Sequence, residues 1–125
     1  VETMSLINDV YNNIFPESII IQIVEMYPQV CHIKHKNGDT LLHILCSHSQ
    51  VTTRTIRMVI NLQPELCTKK DNDGNLPLHI VNARNHPDEI ISVLLNAYPQ
   101  GIFIANALGQ TPLHTRNIRI VNESQ

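Results

Sequence analysis

The sequence predicts an all-α chain in which helix-turn-helix units repeat and stack as a solenoid with short β-turn tips. Three observations lead to this fold class. A turn motif containing glycine recurs at spacings of 36 and 35 residues, at Gly38, Gly74 and Gly109. A proline lies ten residues before each of these glycines, and aliphatic side chains between the markers follow the period of a helix. Such a period is typical of solenoids, because a single unit leaves its apolar face uncovered.

The composition indicates a folded chain and excludes several classes of partner. Ile, Leu and Val supply 38 of the 125 residues, which is ample for an aliphatic core. Nine Lys and Arg residues stand against eleven Asp and Glu residues, so a nucleic-acid partner is not expected. No apolar run approaches the roughly 20 residues that a membrane-spanning helix needs, so membrane insertion is not expected.

The cysteines and the first residues bear on where the protein works. Three cysteines at irregular spacing, without a secretory leader pattern, favour a reducing compartment. We therefore expect an intracellular, cytoplasmic protein. The chain opens at Val1-Glu2-Thr3 and the repeat breaks off in its last unit, which predicts a processed product or a fragment. We expect a monomer, or part of a larger chain or complex.

The repeat markers predict the boundaries of the units within one repeat domain, residues 1–125. Residues 1–36 form an N-terminal capping unit, in which an apolar helix is followed by a second helix opening at Pro16-Glu17. Two repeats follow, residues 37–72 and 73–107, and residues 108–125 are a partial C-terminal repeat with a helix from Pro112.

Each complete unit is predicted to contain two helices. The first runs from Pro77 to about Arg84, because proline is tolerated in the first turn of a helix. The second begins at Pro87-Asp88-Glu89, with acidic side chains near its positive end, and stops before Pro99. One apolar face recurs on the second helix of each unit, made by Ile20, Ile23 and Val24, by Ile56, Val59 and Ile60, and by Ile91, Leu94 and Leu95.

The glycine motifs resemble the ankyrin repeat, whose hallmark is a turn with Asp and Gly followed by Thr-Pro-Leu-His and two antiparallel helices. Thr111-Pro112-Leu113-His114 matches this pattern, whereas Leu76-Pro77-Leu78-His79 and Thr40-Leu41-Leu42-His43 each differ at one position. The resemblance covers about residues 17–117 and implies an ankyrin-like repeat solenoid. The chain departs from the family in its period of 35–36 residues, in larger side chains in the first helix and in its Tyr-Pro corner.

The resemblance also implies where a protein partner would bind. In the family, the turn tips and the outer face of the first helix are exposed and vary between units, whereas buried positions serve the stack. The tip positions are Lys36, Asn37, Asp39, Asn72, Asp73, Asn75, Ala107, Leu108 and Gln110. The helix positions are Ser47, His48, Ala83, Arg84, Ile118 and Arg119. The function expected from the resemblance is that of a protein-protein interaction or scaffold module.

The histidines and cysteines leave a second hypothesis open, a metal- or redox-responsive module. Its candidate ligands are Cys31, His32, His35, Cys46 and His48. Register favours structural roles instead, because Cys31 and Cys67 fall where the next unit has Ile102, an aliphatic core position. By the resemblance, the imidazoles of His43, His79 and His114 tie their own turn together and bond toward a neighbouring turn.

Catalysis is not predicted. The sequence holds no Gly-x-Ser-x-Gly, His-Glu-x-x-His or phosphate-loop motif, and pairs such as Asp71 and Asp73 are typical of turns. We therefore predict no catalytic residue, no cofactor and no metal ligand. A third hypothesis, a targeting segment of a larger multidomain enzyme, also stays open.

Overall fold

Every regular element in the computed structural model, which describes residues 17–112, is a helix. The α-helices are α1 (Glu17–Met26), α2 (Leu41–Ser47), α3 (Thr53–Leu62), α4 (Pro77–Ala83) and α5 (Asp88–Ala97). Residues 17–112 contain no β-strand, so the all-α fold class is confirmed for this part of the chain. The helices predicted for residues 1–16 and from Pro112 onward lie largely outside the described residues.

A 3₁₀ helix follows each of the three long α-helices, α1, α3 and α5. These 3₁₀ helices span Pro28–His32, Pro64–Thr68 and Pro99–Phe103, and a fourth covers Lys36–Gly38. The prolines end the α-helices as predicted, because the residue before each proline leaves the helical region, at φ −133° to −148°. The 3₁₀ segments themselves were not predicted. They form because proline is tolerated at the first position of a helix, where its missing N–H has no partner to lose.

The helices lie in two layers. In one layer, α2 packs against α4, and in the other, α3 lies between α1 and α5. The two short α-helices, α2 and α4, also pack against the long helices that follow them, α2 against α3 and α4 against α5. Helices that carry equivalent positions of the sequence repeat are therefore neighbours, so the apolar face of each one is covered by the next.

The core is aliphatic and continuous between the layers. Val24 of α1, Ile56 and Val59 of α3 and Leu94 of α5 are almost fully buried, as the recurring apolar face predicts. Ile23 and Leu95, also predicted for this face, are half-buried and pack against the same core. Burial of the apolar side chains on these faces of α1, α3 and α5 is the main contribution to the stability of the helix packing.

The turn tips repeat the same main-chain hydrogen bonds. The N–H groups of Gly38, Gly74 and Gly109 each donate to the carbonyl three residues earlier, at 2.9, 3.0 and 2.9 Å. All three glycines have φ between +76° and +80°, which side-chain-bearing residues rarely adopt. Successive tips are joined in the same register, because Asn72 N–H donates to Asn37 O at 2.9 Å and Ala107 N–H to Asp73 O at 2.8 Å.

A buried histidine in a loop makes a further link between units. His86 lies between α4 and α5, and its Nε2 donates to the carbonyl of Cys46 at the end of α2, at 2.8 Å. No helix of residues 17–112 has the length and apolar character needed to span a lipid bilayer.

The tip glycines provide a test of how closely the tips pack. A Cβ atom at Gly38 would lie 2.9 Å from the Asn72 nitrogen, whereas none of the described residues comes within 4 Å of one at Gly109. Gly38→Ala should therefore lower the free energy of unfolding by about 2–3 kcal/mol, from backbone strain plus a clash. Gly109→Ala, the matched control, should cost about 1 kcal/mol from strain alone. Equal losses in urea denaturation would contradict the packing of the first two tips.

Candidate functional site

Two buried imidazoles hold the turn tips against the short helices. Thr40 N–H donates to His43 Nδ1 at 3.2 Å, and Leu76 N–H donates to His79 Nδ1 at 3.0 Å. The other ring nitrogen reaches the next unit: His43 Nε2 donates to Asn75 O at 2.8 Å, and His79 Nε2 donates to Gln110 O at 3.0 Å. The linking role expected for His43 and His79 is therefore confirmed, whereas His114 lies outside the described residues.

Burial keeps both imidazoles neutral. It lowers the pKa of His43 and of His79 below the usual value. The carbonyls that accept hydrogen bonds from the rings have the opposing, smaller effect. A neutral ring with its proton on Nε2 is the form that can accept from a backbone N–H and donate to a carbonyl at once. The link between units therefore depends on one protonation state of these two residues.

Side chains brace the second and third tips from within. Asp71 Oδ1 accepts from the N–H groups of Asp73 and Asn75, both at 2.9 Å. Asn106, at the equivalent position of the next tip, uses Oδ1 to accept from Leu108 N–H at 3.0 Å and from Gln110 N–H at 2.9 Å. Such side-chain bonds to local backbone restrict the tips to one conformation.

A groove of about 630 Å³ runs between the tips and the exposed side of α2 and α4. Ten of the fifteen partner-binding positions in the sequence prediction line it: Asn37, Asp39, Ser47, Asp73, Asn75, Ala83, Arg84, Ala107, Leu108 and Gln110. Three tips, spaced 36 and 35 residues apart in sequence, and two helices thus contribute to one concave surface.

The other predicted positions lie elsewhere. Lys36 and Asn72 are exposed on the tips but outside the groove, and His48 is half-buried at the end of α2. Arg119, with Ile118, lies outside the described residues. Leu108 is 83% exposed, so the described residues do not cover the apolar end of the third tip.

Four lining residues were missed by the sequence prediction: Asp71, His79, Ile80 and Asn106. Three of them carried a usable signal. Asp71 and Asn106 each lie three residues before their glycine. Ile80 lies one turn before Ala83 and Arg84 on α4, so helical spacing also places it on their face.

The groove carries an excess of negative charge. Asp39, Asp71 and Asp73 line it together with a single cation, Arg84. Burial raises the pKa of Asp39, and the neighbouring carboxylates of Asp71 and Asp73 raise it further against the opposing effect of His43. Within residues 17–112, no ion pair joins Arg84 to any of the three carboxylates.

The five candidate metal ligands do not form a metal site. Among residues 17–112, no group of three or more His, Cys, Asp or Glu side chains is arranged to hold an ion. Cys31 and Cys46 are fully buried, and His32 instead approaches Glu65, with Nε2 3.4 Å from Oε2. Burial raises the pKa of Cys31 to about 11 and that of Cys46 still further, so neither thiol provides a thiolate at neutral pH.

Comparison with known proteins assigns no family. No family model matches the sequence, and no curated protein matches it either. The resemblance to ankyrin repeats is therefore one of sequence motifs alone.

The buried imidazoles make stability depend on pH. Their folded-state pKa values lie below the unfolded value of about 6.5, so the unfolded chain binds more protons as the pH falls. The free energy of unfolding should be fully retained above about pH 7 and should decline as the pH is lowered toward 5. His43→Gln/His79→Gln should have a shallower pH dependence and lose about 2 kcal/mol at pH 7.5. The exposed His32→Gln control should keep the wild-type slope, and a wild-type slope in the double variant would contradict the link.

The thiols give a second test. Burial raises the pKa of Cys31 and Cys67 to about 11, and that of Cys46 is raised too. In the native protein at pH 7.5, all three should react with iodoacetamide at least about a hundredfold more slowly than in urea. Ser49→Cys, at an exposed position, should provide a rapidly labelled reference. A native cysteine labelled as fast as this reference would favour the redox hypothesis.

Proposed function

We propose that this chain is an ankyrin-like repeat module that binds a protein partner in the groove between its turn tips and short helices, and that it performs no chemistry of its own. The observation that carries the proposal is the convergence of ten sequence-predicted positions on one concave surface. These positions come from separate units of the repeat, and they meet because equivalent helices are neighbours.

The repeated hydrogen bonds support the ankyrin-like arrangement. The same imidazole link occurs at His43 and His79, and the same tip-to-tip bond occurs at Asn72 and Ala107. Together with the Thr-Pro-Leu-His motifs and the paired helices, this regularity favours a stack of equivalent units over an irregular bundle of helices.

Preorganisation supports a binding role. The tips are held by main-chain bonds to one another, by side-chain bonds within Asp71 and Asn106 turns, and by the imidazoles below them. A surface already fixed in one conformation loses little entropy when it docks a partner. The groove also mixes charged, amide and aliphatic side chains, as protein-binding surfaces do.

Filling the groove without changing its charge tests the proposal. Ala83 is exposed on α4 and lines the groove, so Ala83→Tyr should occlude it and weaken binding of a purified natural partner at least about tenfold. Ser92→Tyr places the same side chain on the exposed side of α5, outside the groove, and should bind normally. Calorimetric titration measures both affinities, and thermal melts check that both variants fold.

If Ala83→Tyr kept its affinity and Ser92→Tyr lost it, the binding surface would lie on the long helices. That result would contradict the proposal that the groove is the binding site.

A further inference from the structure

The two ends of the groove differ in chemistry. Asp39 follows the first tip, and Asp71 and Asp73 belong to the second, whereas the third contributes Ala107 and Leu108 beside the uncharged amides of Asn106 and Gln110. The side of the groove toward the first two tips, the anionic end, therefore carries carboxylates, and the side toward the third, the apolar end, is uncharged and presents two aliphatic side chains. A ligand lying along the tips would meet carboxylates first and aliphatic side chains next.

Within residues 17–112, no ion pair neutralises the anionic end. The described residues that line the groove include three carboxylates and one guanidinium, and no ion pair forms among them. Asp39 is half-buried, and its pKa is raised by that burial and by the charges of Asp71 and Asp73. A cationic group placed among these carboxylates would lower their mutual repulsion.

A metal ion does not fit this end. No three acidic, histidine or cysteine side chains among residues 17–112 converge closely enough to hold one. Carboxylates that are too widely placed for one small ion suit an extended cation with several donors. Lysine has three N–H donors on a flexible stem and arginine has five in a planar fork, so either can contact more than one carboxylate.

The apolar end calls for a different group beside that cation. Leu108 is 83% exposed and stands on the groove next to Ala107, with Ile80 of α4 on the groove wall. Covering an exposed leucine with an apolar side chain removes its surface from water and contributes favourably to binding.

We propose that the groove recognises a protein segment that presents a lysine or arginine to Asp39 and Asp73 and an apolar side chain, close to it in sequence, to Leu108. This inference rests on the proposed function, since it specifies the partner of the same groove. Charge complementarity sets the direction of the segment, with its basic end toward the first tip and its apolar end toward the third.

A random-sequence peptide library displayed on phage is the probe. Peptides selected on the wild-type protein are sorted by whether they also bind Ala83→Tyr, and those that do not are the groove binders. We expect groove binders to be enriched in lysine or arginine near an apolar residue. Their affinity should fall as sodium chloride is raised, because partly exposed charges are screened.

Charge-neutral variants of the same shape separate the two ends. Asp39→Asn/Asp73→Asn should weaken the groove binders about tenfold and flatten their salt dependence. Asp71 is left intact because it closes its turn. The matched control, Glu25→Gln/Glu89→Gln, removes the same charge at exposed positions outside the groove and should change affinity less than about twofold. Leu108→Ala should weaken binding several-fold with the salt dependence kept.

The outcomes distinguish this inference from the proposed function. Groove binders that lack basic residues, or that bind Asp39→Asn/Asp73→Asn as tightly as wild type, would overturn the inference and leave the groove as the binding site. A selection in which every peptide binds Ala83→Tyr and wild type equally would overturn both.

Discussion

Two neutral imidazoles, buried under the turn tips, link each glycine-containing segment of residues 17–112 to the next. Both nitrogens of each ring form hydrogen bonds to the backbone. The ring's Nδ1 accepts from the backbone N–H just before its own short helix, and its Nε2 donates to a carbonyl of the following tip. The groove has its shape because that bond fixes the distance between a tip and the helix behind it. Burial that stabilises the neutral ring therefore also contributes to the shape of the groove.

Local signals in the sequence were sufficient to predict the α-helices of the described residues. Pro77 and Pro87 mark helix starts, and the prolines at 28, 64 and 99 mark where the long helices have ended, because backbone sterics act between adjacent residues. Register alone identified the buried cysteines and the recurring apolar face. The 3₁₀ segments escaped prediction because proline signals the end of one helix without specifying how the chain continues.

Contacts between units were harder to foresee. His86 has no counterpart among the repeat markers, and its bond to the carbonyl of Cys46 depends on where a loop passes in space. The candidate site was predicted in large part because the resemblance supplied positions on each unit, and their meeting on one surface follows from stacking. Its excess of charge was not predicted, because unpaired carboxylates can be recognised only once neighbouring side chains are placed.

The bonds from Asn72 to Asn37 and from Ala107 to Asp73 use main-chain atoms, and Asn106 Nδ2 adds one side-chain bond between tips by donating to Asn75 Oδ1 at 2.9 Å. The bonds within and between tips therefore constrain the glycines and the side chains of Asp71, Asn75, Asn106 and Gln110, and within residues 17–112 they use no other side chain of the second and third tips. Asp73 and Leu108 occupy the same position of their tips, one residue before the glycine, and can differ as widely as they do without disturbing these bonds. Exchanging such exposed tip residues is therefore a route to new binding specificity on an unaltered scaffold.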